Sequence, residues 1–487
     1  MPVDLLNVGR SGLGAAKKQL STTSHNIANS NTEGYSRQRV NLEASRPMSE
    51  GNYVLGTGVD VKSVKRIHDE QIERRLNQAI TQNEFSTERD FQLTQVEDLF
   101  NEVHSEGLNK LTNRFFNSFR ELANQPENET VRSIVRENAR LIVNDFRHMR
   151  ETLHDLRNNM NNKLRATIED INTMTGHLSV LNNKIAELEA VSQETGDLRD
   201  QRDTIIRNLS ELMDIHTFRD ERNRFVVNAT DVGTLVVGGE VNKLKFGTVN
   251  EDNKDIGRYE IFFEGKGVGP ISHKLKGGKI GAILETRNRE VKSVEEKLDV
   301  MAFELANTVN AIHRRGFIND PIPVDANGEP QSRYLASGRA ITGIDFFKPP
   351  TELYRASEYL DLSDEVKADV NNIVTGLEPN RPGDNRISIA ISKLQHEKIL
   401  FNGTSTFEEH YLKAVGEIGL VSSKTKIDVE QTSGILAQAK SVKERISGVS
   451  LDEETANMVK FQHAYDASAK VIKTADEMFK AVLDIKR

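Results

Sequence analysis

Apolar residues recur every seven positions at both ends of this 487-residue chain, a pattern that restricts those ends to helices lying against other helices. Near the start, Leu6, Leu13, Leu20 and Ile27 hold the repeat, with Ala16 and Thr23 at the intermediate positions. Near the finish, Leu451, Met458, Tyr465, Ile472 and Phe479 repeat at the same interval. A second row there, Val471, Ala475, Met478, Val482 and Ile485, with Leu483 alongside, makes the last turns apolar on two sides. A helix of that kind expects more than one neighbour. Gly9, Gly12 and Gly14 weaken the first helix by about 1 kcal/mol each relative to alanine, or else permit close helix approach. Taken alone, neither end buries enough apolar surface to offset the entropy of ordering its backbone. Both are therefore expected to be largely disordered in a free monomer and to fold on assembly.

Between the ends the periodicity changes twice. Asp69–Phe100, Gly107–Ala123, Glu129–Arg157, Lys163–Glu189 and Asp197–Leu212 read as helices, with breaks at Pro126 and Gly196. Short β-branched and aromatic runs follow, Phe225-Val226-Val227, Gly233 to Gly239 and Tyr259 to Phe263, set among Gly and Asn turns, and these read as strands and hairpins. Helix returns at Lys279–Arg315, where Ile283, Val291, Val294, Leu298, Met301, Leu305 and Val309 keep mostly helical spacing. Five of the chain's eleven prolines cluster between residues 316 and 350, which predicts irregular structure, and helix is expected from about Asn385 to the end. The fold class is therefore mainly α with a β-rich insert: terminal coiled-coil helices, a long helical bundle and a smaller outer β domain. The corresponding domains are 1–60 with 440–487 as paired terminal helices, 61–215, 279–315 and 385–439 as the bundle, and 216–278 with 316–384 as a β-rich and loop-rich outer part.

Composition removes several classes of function. With 65 basic and 73 acidic residues the net charge is -8, which leaves no electrostatic footprint for nucleic acid or an anionic membrane. No apolar run approaches the roughly 20 residues of a membrane span, so no membrane insertion is expected. The start, Met1-Pro2-Val3-Asp4-Leu5-Leu6, has neither the basic patch nor the apolar stretch of a cleavable signal, so secretion would need another route. Cysteine is absent, which excludes disulfides, thiolate zinc sites and cysteine nucleophiles. Tryptophan is absent too and aromatic residues are 6%, against sites built on stacking.

The search for chemistry returns nothing that assembles a nucleophile, a base and an orienting group. His396-Glu397-Lys398-Ile399-Leu400 begins like a zinc-protease helix but has leucine where the second histidine belongs, so a solvated helix face is the expectation. Gly12-Leu13-Gly14-Ala15-Ala16 cannot be a dinucleotide loop, because no strand precedes it and Leu13 belongs to the repeat. Asp325-Ala326-Asn327-Gly328 lacks calcium-loop spacing and reads as an exposed turn. Asp197, Asp200 and Asp203 step along one helix with Arg199 and Arg202 between them, a salt-bridged surface rather than a cation site. No catalytic residue, metal site or cofactor is expected.

Two terminal motifs carry a resemblance. Ser24-His25-Asn26-Ile27-Ala28-Asn29-Ser30-Asn31-Thr32-Glu33-Gly34-Tyr35-Ser36-Arg37-Gln38-Arg39-Val40 resembles the N-terminal signature of bacterial flagellar axial proteins. Its Tyr-Ser-Arg-Gln ending is similar to the hook-associated, hook–filament junction branch rather than to hook or rod proteins. Physically the motif is a helix end, an Asn- and Gly-rich turn permitted by Gly34, and a departing extended segment. Ser447 to Glu454 and Gln462 to Ile472 resemble the same family, with Ser450 and Glu453 at capping-box positions. The stretches Asp197 to Asp203, Gly277 to Leu284 and Pro382 to Asn385 look familial as well.

The resemblance implies a structural subunit that joins hook to filament, exported unfolded through the flagellar type III channel and assembled at the hook tip. Its implied place is extracellular, on the flagellum. Its implied partners are itself in lateral helical packing, the hook protein, the second hook-associated junction protein, and a cytoplasmic export chaperone on the C-terminal helices. Leu6, Leu13, Leu20, Ile27, Asn29, Gly34, Tyr35, Leu451, Met458, Tyr465, Ile472, Phe479 and Leu483 are the expected assembly interface. One alternative is a hook or distal-rod structural protein. Another, of a different class, is a secreted enzyme or adhesin displayed on axial-type ends, which would need a catalytic or ligand-binding insert between residues 216 and 375.

Overall fold

Twelve helices and ten strands make up the described part of this computed structural model, which covers residues 2–50, 53–100, 107–191, 194–249, 258–265, 267, 269–400 and 403–485. The chain divides by its contacts into two compact units. The first comprises Met1–Ser86, Arg165–Gly281 and Val429–Arg487, and the second Thr87–Leu164 and Ala282–Asp428.

In the first unit, helix α1 (Pro2–Ala28) leads into strand β1 (Gln38–Ala44), a short hairpin of β2 (Met48–Glu50) and β3 (Tyr53–Leu55), and strand β4 (Val59–Arg66). Strands β1 and β4 pair antiparallel from Gln38↔Arg66 to Ala44↔Val59, with a register shift between Asn41 and Leu42. The ribbon is tied to α1, because Ser11 Oγ accepts a hydrogen bond from Val59 N at 3.2 Å. The extended segment expected after Gly34 is thus the first strand of this ribbon. Helix α2 (Glu70–Asp98) follows, then α3 (Leu108–Asn124), α4 (Glu129–Ala190) and α5 (Gly196–Leu212). An antiparallel meander comes next: β5 (Ile215–Arg219), β6 (Phe225–Ala229), β7 (Gly233–Val237) and β8 (Glu240–Val241). Strands β9 (Leu244–Val249) and β10 (Arg258–Phe263) form a separate hairpin. The late turns of α4 hold this β structure by side-chain amides. Asn172 donates to Leu244 O at 2.8 Å and accepts from Leu244 N at 2.9 Å, while Asn182 donates to Gly238 O at 3.0 Å.

The second unit gathers α3, the first part of α4, and the helices after the hairpin: α6 (Gly278–Glu285), α7 (Lys292–His313), α8 (Ala356–Tyr359), α9 (Asp364–Ala368), α10 (Arg386–Lys393) and the start of α11 (Phe407–Ser447). The unit boundary falls within α2, α4, α6 and α11. Its core is aromatic. Phe115, Phe116, Phe119, Phe346 and Phe347 are fully buried, with Phe346 and Phe347 edge to face at 4.9 Å. Residues 316–350 are irregular, as their prolines imply, with isolated bridges and a small core of Ile318, Ile322, Ile341 and Ile344.

The structure departs from the sequence reading in six places. Residues 38–60, placed above among the paired terminal helices, carry β1, β2, β3 and the start of β4. The two helices expected over 129–189 are one helix of 62 residues. The Asn-rich stretch between them stays helical because Met160 is buried and Asn161 accepts from Arg287 NH1 at 2.7 Å, so tertiary pairing overrides weak local propensity. The helix expected over Lys279–Arg315 is broken by a π turn at Thr286–Val291, which buries Thr286, Arg287 and Glu290, and Arg89 NH2 reaches Glu290 Oε1 at 2.7 Å. Helix is interrupted after α10, so His396 lies exposed in a turn, not on a helix face, while Leu400 is buried. The segments 216–278 and 316–384, grouped above as one outer part, fall almost wholly in different units, and the second carries isolated bridges instead of strand ladders. Finally, the two ends are ordered helices, α1 and α12 (Leu451–Ile485), packed along each other.

Candidate assembly interface

The close-packed seam between the two end helices is built from small residues. A Cβ on Gly9 would stand 2.8 Å from Ile472 Cγ1, and one on Gly12 would stand 2.9 Å from Ser468 Oγ. Asn26 meets Glu454 across the same pair. Partners that descend on one helix as they ascend on the other make the pair antiparallel. On α1 the buried positions are Gly9, Ala15, Ala16, Thr22, Thr23 and Asn26, and on α12 they are Glu454 and Ala475. Glycine and alanine here serve approach, which supplies the dispersion contacts that neither end has alone.

The seven-residue repeats line this seam only in part: Ile472 faces Gly9, and the intermediate positions Ala16 and Thr23 are buried. Leu6 is exposed, while Leu13, Leu20 and Ile27 are half-buried. On α12, Met458, Tyr465 and Ile472 are half-buried, and Leu451, Phe479 and Leu483 are exposed, the last two at 47% and 53%. Met478 and Val459 add to that surface, and Leu420 and Ile427 on α11 are exposed at 71% and 62%. The side chains of Val482 and Ile485 lie outside the described residues.

Where α1 ends, the Asn- and Gly-rich turn folds back as a hydrogen-bonded cluster. Asn26, 1% exposed, satisfies its whole amide: Nδ2 donates to Gln38 O at 2.9 Å and Glu454 Oε2 at 3.0 Å, and Oδ1 accepts from Tyr35 OH at 2.8 Å and Gln38 N at 2.9 Å. Asn29 closes the helix end by donating to His25 O at 2.9 Å and accepting from Thr32 Oγ1 at 3.2 Å. Gly34 has φ +84°, and a Cβ there would stand 2.4 Å from Thr204 Oγ1 and 2.7 Å from Arg207 NH2, so both backbone and space select glycine. Tyr35 sits edge to face with His25 at 5.6 Å. Burial first, then Asp197, Asp200 and Glu454, pushes the Tyr35 hydroxyl well above its ordinary range, so it stays a donor.

The segment after the turn lies along α5. Ser36 N donates to Asp200 Oδ2 at 3.0 Å and Gln38 Nε2 to Asp197 Oδ1 at 2.6 Å. Arg66 NH1 reaches Asp200 Oδ1 at 2.8 Å and Asp203 Oδ2 at 2.6 Å. Burial opposes the Arg66 charge, but Asp203 and Asp200 more than restore it and raise its pKa. The Asp-x-x-Asp-x-x-Asp run is thus occupied by protein donors, as a salt-bridged surface requires. Arg37 fixes the other side: its N–H donates to Ser447 O at 2.9 Å, and its guanidinium reaches Glu453 at 2.6 Å and Glu454 at 2.7 Å. Glu453, placed by sequence in a capping box, carries this ion pair.

Asn26, Arg37, Arg66, Asp200 and Glu454 hold the cluster, yet none was among the expected interface residues. Four of them lay inside the quoted motifs, but their pairing joins residues up to 428 positions apart and no local spacing encodes it. Asp325 lies in an exposed turn, accepting from Asn327 N at 2.8 Å and Glu329 N at 2.9 Å. Among the described residues no cluster of acidic and histidine side chains is placed to hold a metal ion, and no helix is long and apolar enough to cross a membrane.

Comparison with known proteins agrees with this geometry. Residues 93–332 match the family model described as the flagellar hook-associated protein FlgK helical domain. Residues 6–35 match the flagella basal body rod protein family and 445–485 the C-terminal family of the flagellar basal body rod FlgEFG proteins. The chain is 29% identical to flagellar hook-associated protein 1 of Bacillus subtilis, over 98% of this chain and 97% of that one. It is 24% identical to flagellar hook-associated protein 1 of Escherichia coli, over 99% of this chain and 100% of that one. The fold matches a solved structure of the flagellar hook junction protein FlgK from Burkholderia pseudomallei with a TM-score of 0.62 and 16% identity, covering 76% of this chain and 100% of that one. The paired ends, the helical middle and these relatives agree: along nearly its whole length the chain is similar to the flagellar hook-associated protein 1 of other bacteria.

Proposed function

We propose that this chain is a structural subunit of the bacterial flagellum that joins hook to filament, is exported unfolded and is assembled at the hook tip. The observation that carries the reading is the division of labour on the end helices. Their small-residue faces are consumed by pairing with each other, while Leu6, Leu451, Phe479 and Leu483 remain exposed on the same two helices. A soluble chain gains by covering such a surface, and neighbouring subunits in a tube would cover it. The full partner set is the chain itself, the hook protein, the second hook-associated protein and an export chaperone on α12 before assembly. The protein works outside the cell and by position alone, with no catalytic step.

Phe479→Asp combined with Leu483→Asp tests this reading. Both side chains are exposed, so the folded chain should change in stability by no more than about 0.5 kcal/mol. Expressed in a strain lacking its own hook-associated protein 1, the variant should be secreted but not retained on hooks. Normal retention and filament growth would remove the basis for the proposed interface.

A further inference from the structure

A cleft of about 920 Å³ opens in the first unit, lined by β4, the start of α2, the first turns of α5, strand β5 and Phe225. Basic residues outnumber acidic ones along its wall, the reverse of a chain with net charge -8. Four of the acidic side chains there already hold a cation: Asp203 holds Arg66 at 2.6 Å, Glu189 holds Arg199 at 2.5 Å, Glu194 holds Lys18 at 3.1 Å and Glu73 holds Arg207 at 3.6 Å.

Arg202 is differently placed. Its side chain is 6% exposed, its Nε makes no hydrogen bond, and Asp203 Oδ1 stands 3.9 Å away, beyond hydrogen-bond reach. Its guanidinium lies 3.8 Å from the centre of the Phe225 ring. Burial, with Arg66, Arg199 and Arg219 nearby and Asp203 opposing, lowers its pKa to about 10. His68, on the same wall, has a buried Nδ1 that also lacks a hydrogen bond. Arg219, exposed at the rim, bonds only to Asn223 among the described contacts. A buried guanidinium without a close counter-charge is costly, and an arriving carboxylate would relieve it through a bidentate contact.

We infer that this cleft receives carboxylate side chains of a second copy of the chain when subunits pack side by side. The inference rests on the assembly reading above and names one contact within it. Charge complementarity selects the occupant, since a net-acidic neighbour meets a locally basic wall.

The test uses the full-length chain with p-benzoyl-L-phenylalanine in place of Phe218, which is exposed and lines the cleft. Cells are irradiated, hook–basal bodies are isolated, and cross-linked peptides are identified by mass spectrometry. The expected product is a covalent dimer of this chain through an Asp- or Glu-rich peptide. Arg219→Glu in the same background should lower its yield at least threefold, with folding checked by circular dichroism. A cross-link only to another flagellar protein, no inter-chain product, or a yield untouched by Arg219→Glu overturns the inference while leaving the junction reading intact. Absence of the chain from isolated hooks overturns the assembly reading, and this inference with it.

Discussion

Replacing Asn26 by alanine probes the cluster that ties the two ends together. The substitution deletes four hydrogen bonds, two donated and two accepted, from a residue 1% exposed. At about 1 kcal/mol net each the loss is about 4 kcal/mol. Glu454 keeps its bond to Arg37 at 2.7 Å, and the Tyr35 hydroxyl can turn, so part of the penalty is relieved. The expected destabilisation of the cluster that holds the end of α1 against the turn, β1 and Glu454 is about 3 kcal/mol, which multiplies its opening equilibrium on the order of a hundredfold. Native-state hydrogen exchange on the full-length chain reads this directly. Amides at the end of α1, in the turn and at the start of β1 should exchange on the order of a hundredfold faster, and those of α3 and α7 in the second unit should be unchanged. Asn29→Ala, which removes a half-buried amide in the turn just past the same helix, should change exchange by less than about tenfold. An acceleration below about threefold at Asn26→Ala would refute the reasoning that a satisfied buried amide joins the ends.

Two further outcomes are expected. The chain has no cysteine, so Gly12→Cys with Ser468→Cys introduces a single possible pair, and a Cβ at position 12 would lie 3.7 Å from the Cβ of residue 468. Mild oxidation should close this bond within the monomer, seen as faster migration on a non-reducing gel, and failure to form it would contradict the antiparallel pairing. In the second unit, fully buried His313 donates Nδ1–H to Ile344 O at 2.8 Å and accepts from Val374 N at 2.9 Å, so the fold needs it neutral. Burial lowers its pKa from 6.5 to about 4. Between those values the unfolded chain binds the extra proton, so stability falls as pH drops from 6.5 toward 4, by about 3 kcal/mol in all. Urea midpoints against pH should show this slope, and His313→Gln should flatten it.

Much of this architecture is legible in the residues, but unevenly. The seven-residue repeats announce helices at both ends, and the β-branched runs from Phe225 to Phe263 announce strands. Those repeats do not say how closely the two helices approach, because periodicity counts apolar residues while Gly9 and Gly12 make the close contact by being small. The two end helices, each too weak to order itself, are ordered by one another. Strand β1 is legible only as an extended segment and β4 not at all, because their side chains are largely solvent-exposed and lack clean alternation. The π turn at Thr286–Val291 and the unbroken α4 depend on partners distant in sequence, such as Arg89 and Arg287, which no local window contains. The run from Asp197 to Asp203 could be read as salt-bridged, but its partner Arg66 lies 134 residues from Asp200.

The most direct test of the account is electron microscopy of flagella after deletion of this gene, with flagellin assayed in the medium. Bare hooks together with shed flagellin are the expected result. Intact filaments on the deletion strain would contradict the junction role, and cells without hooks would move the chain to the hook or rod.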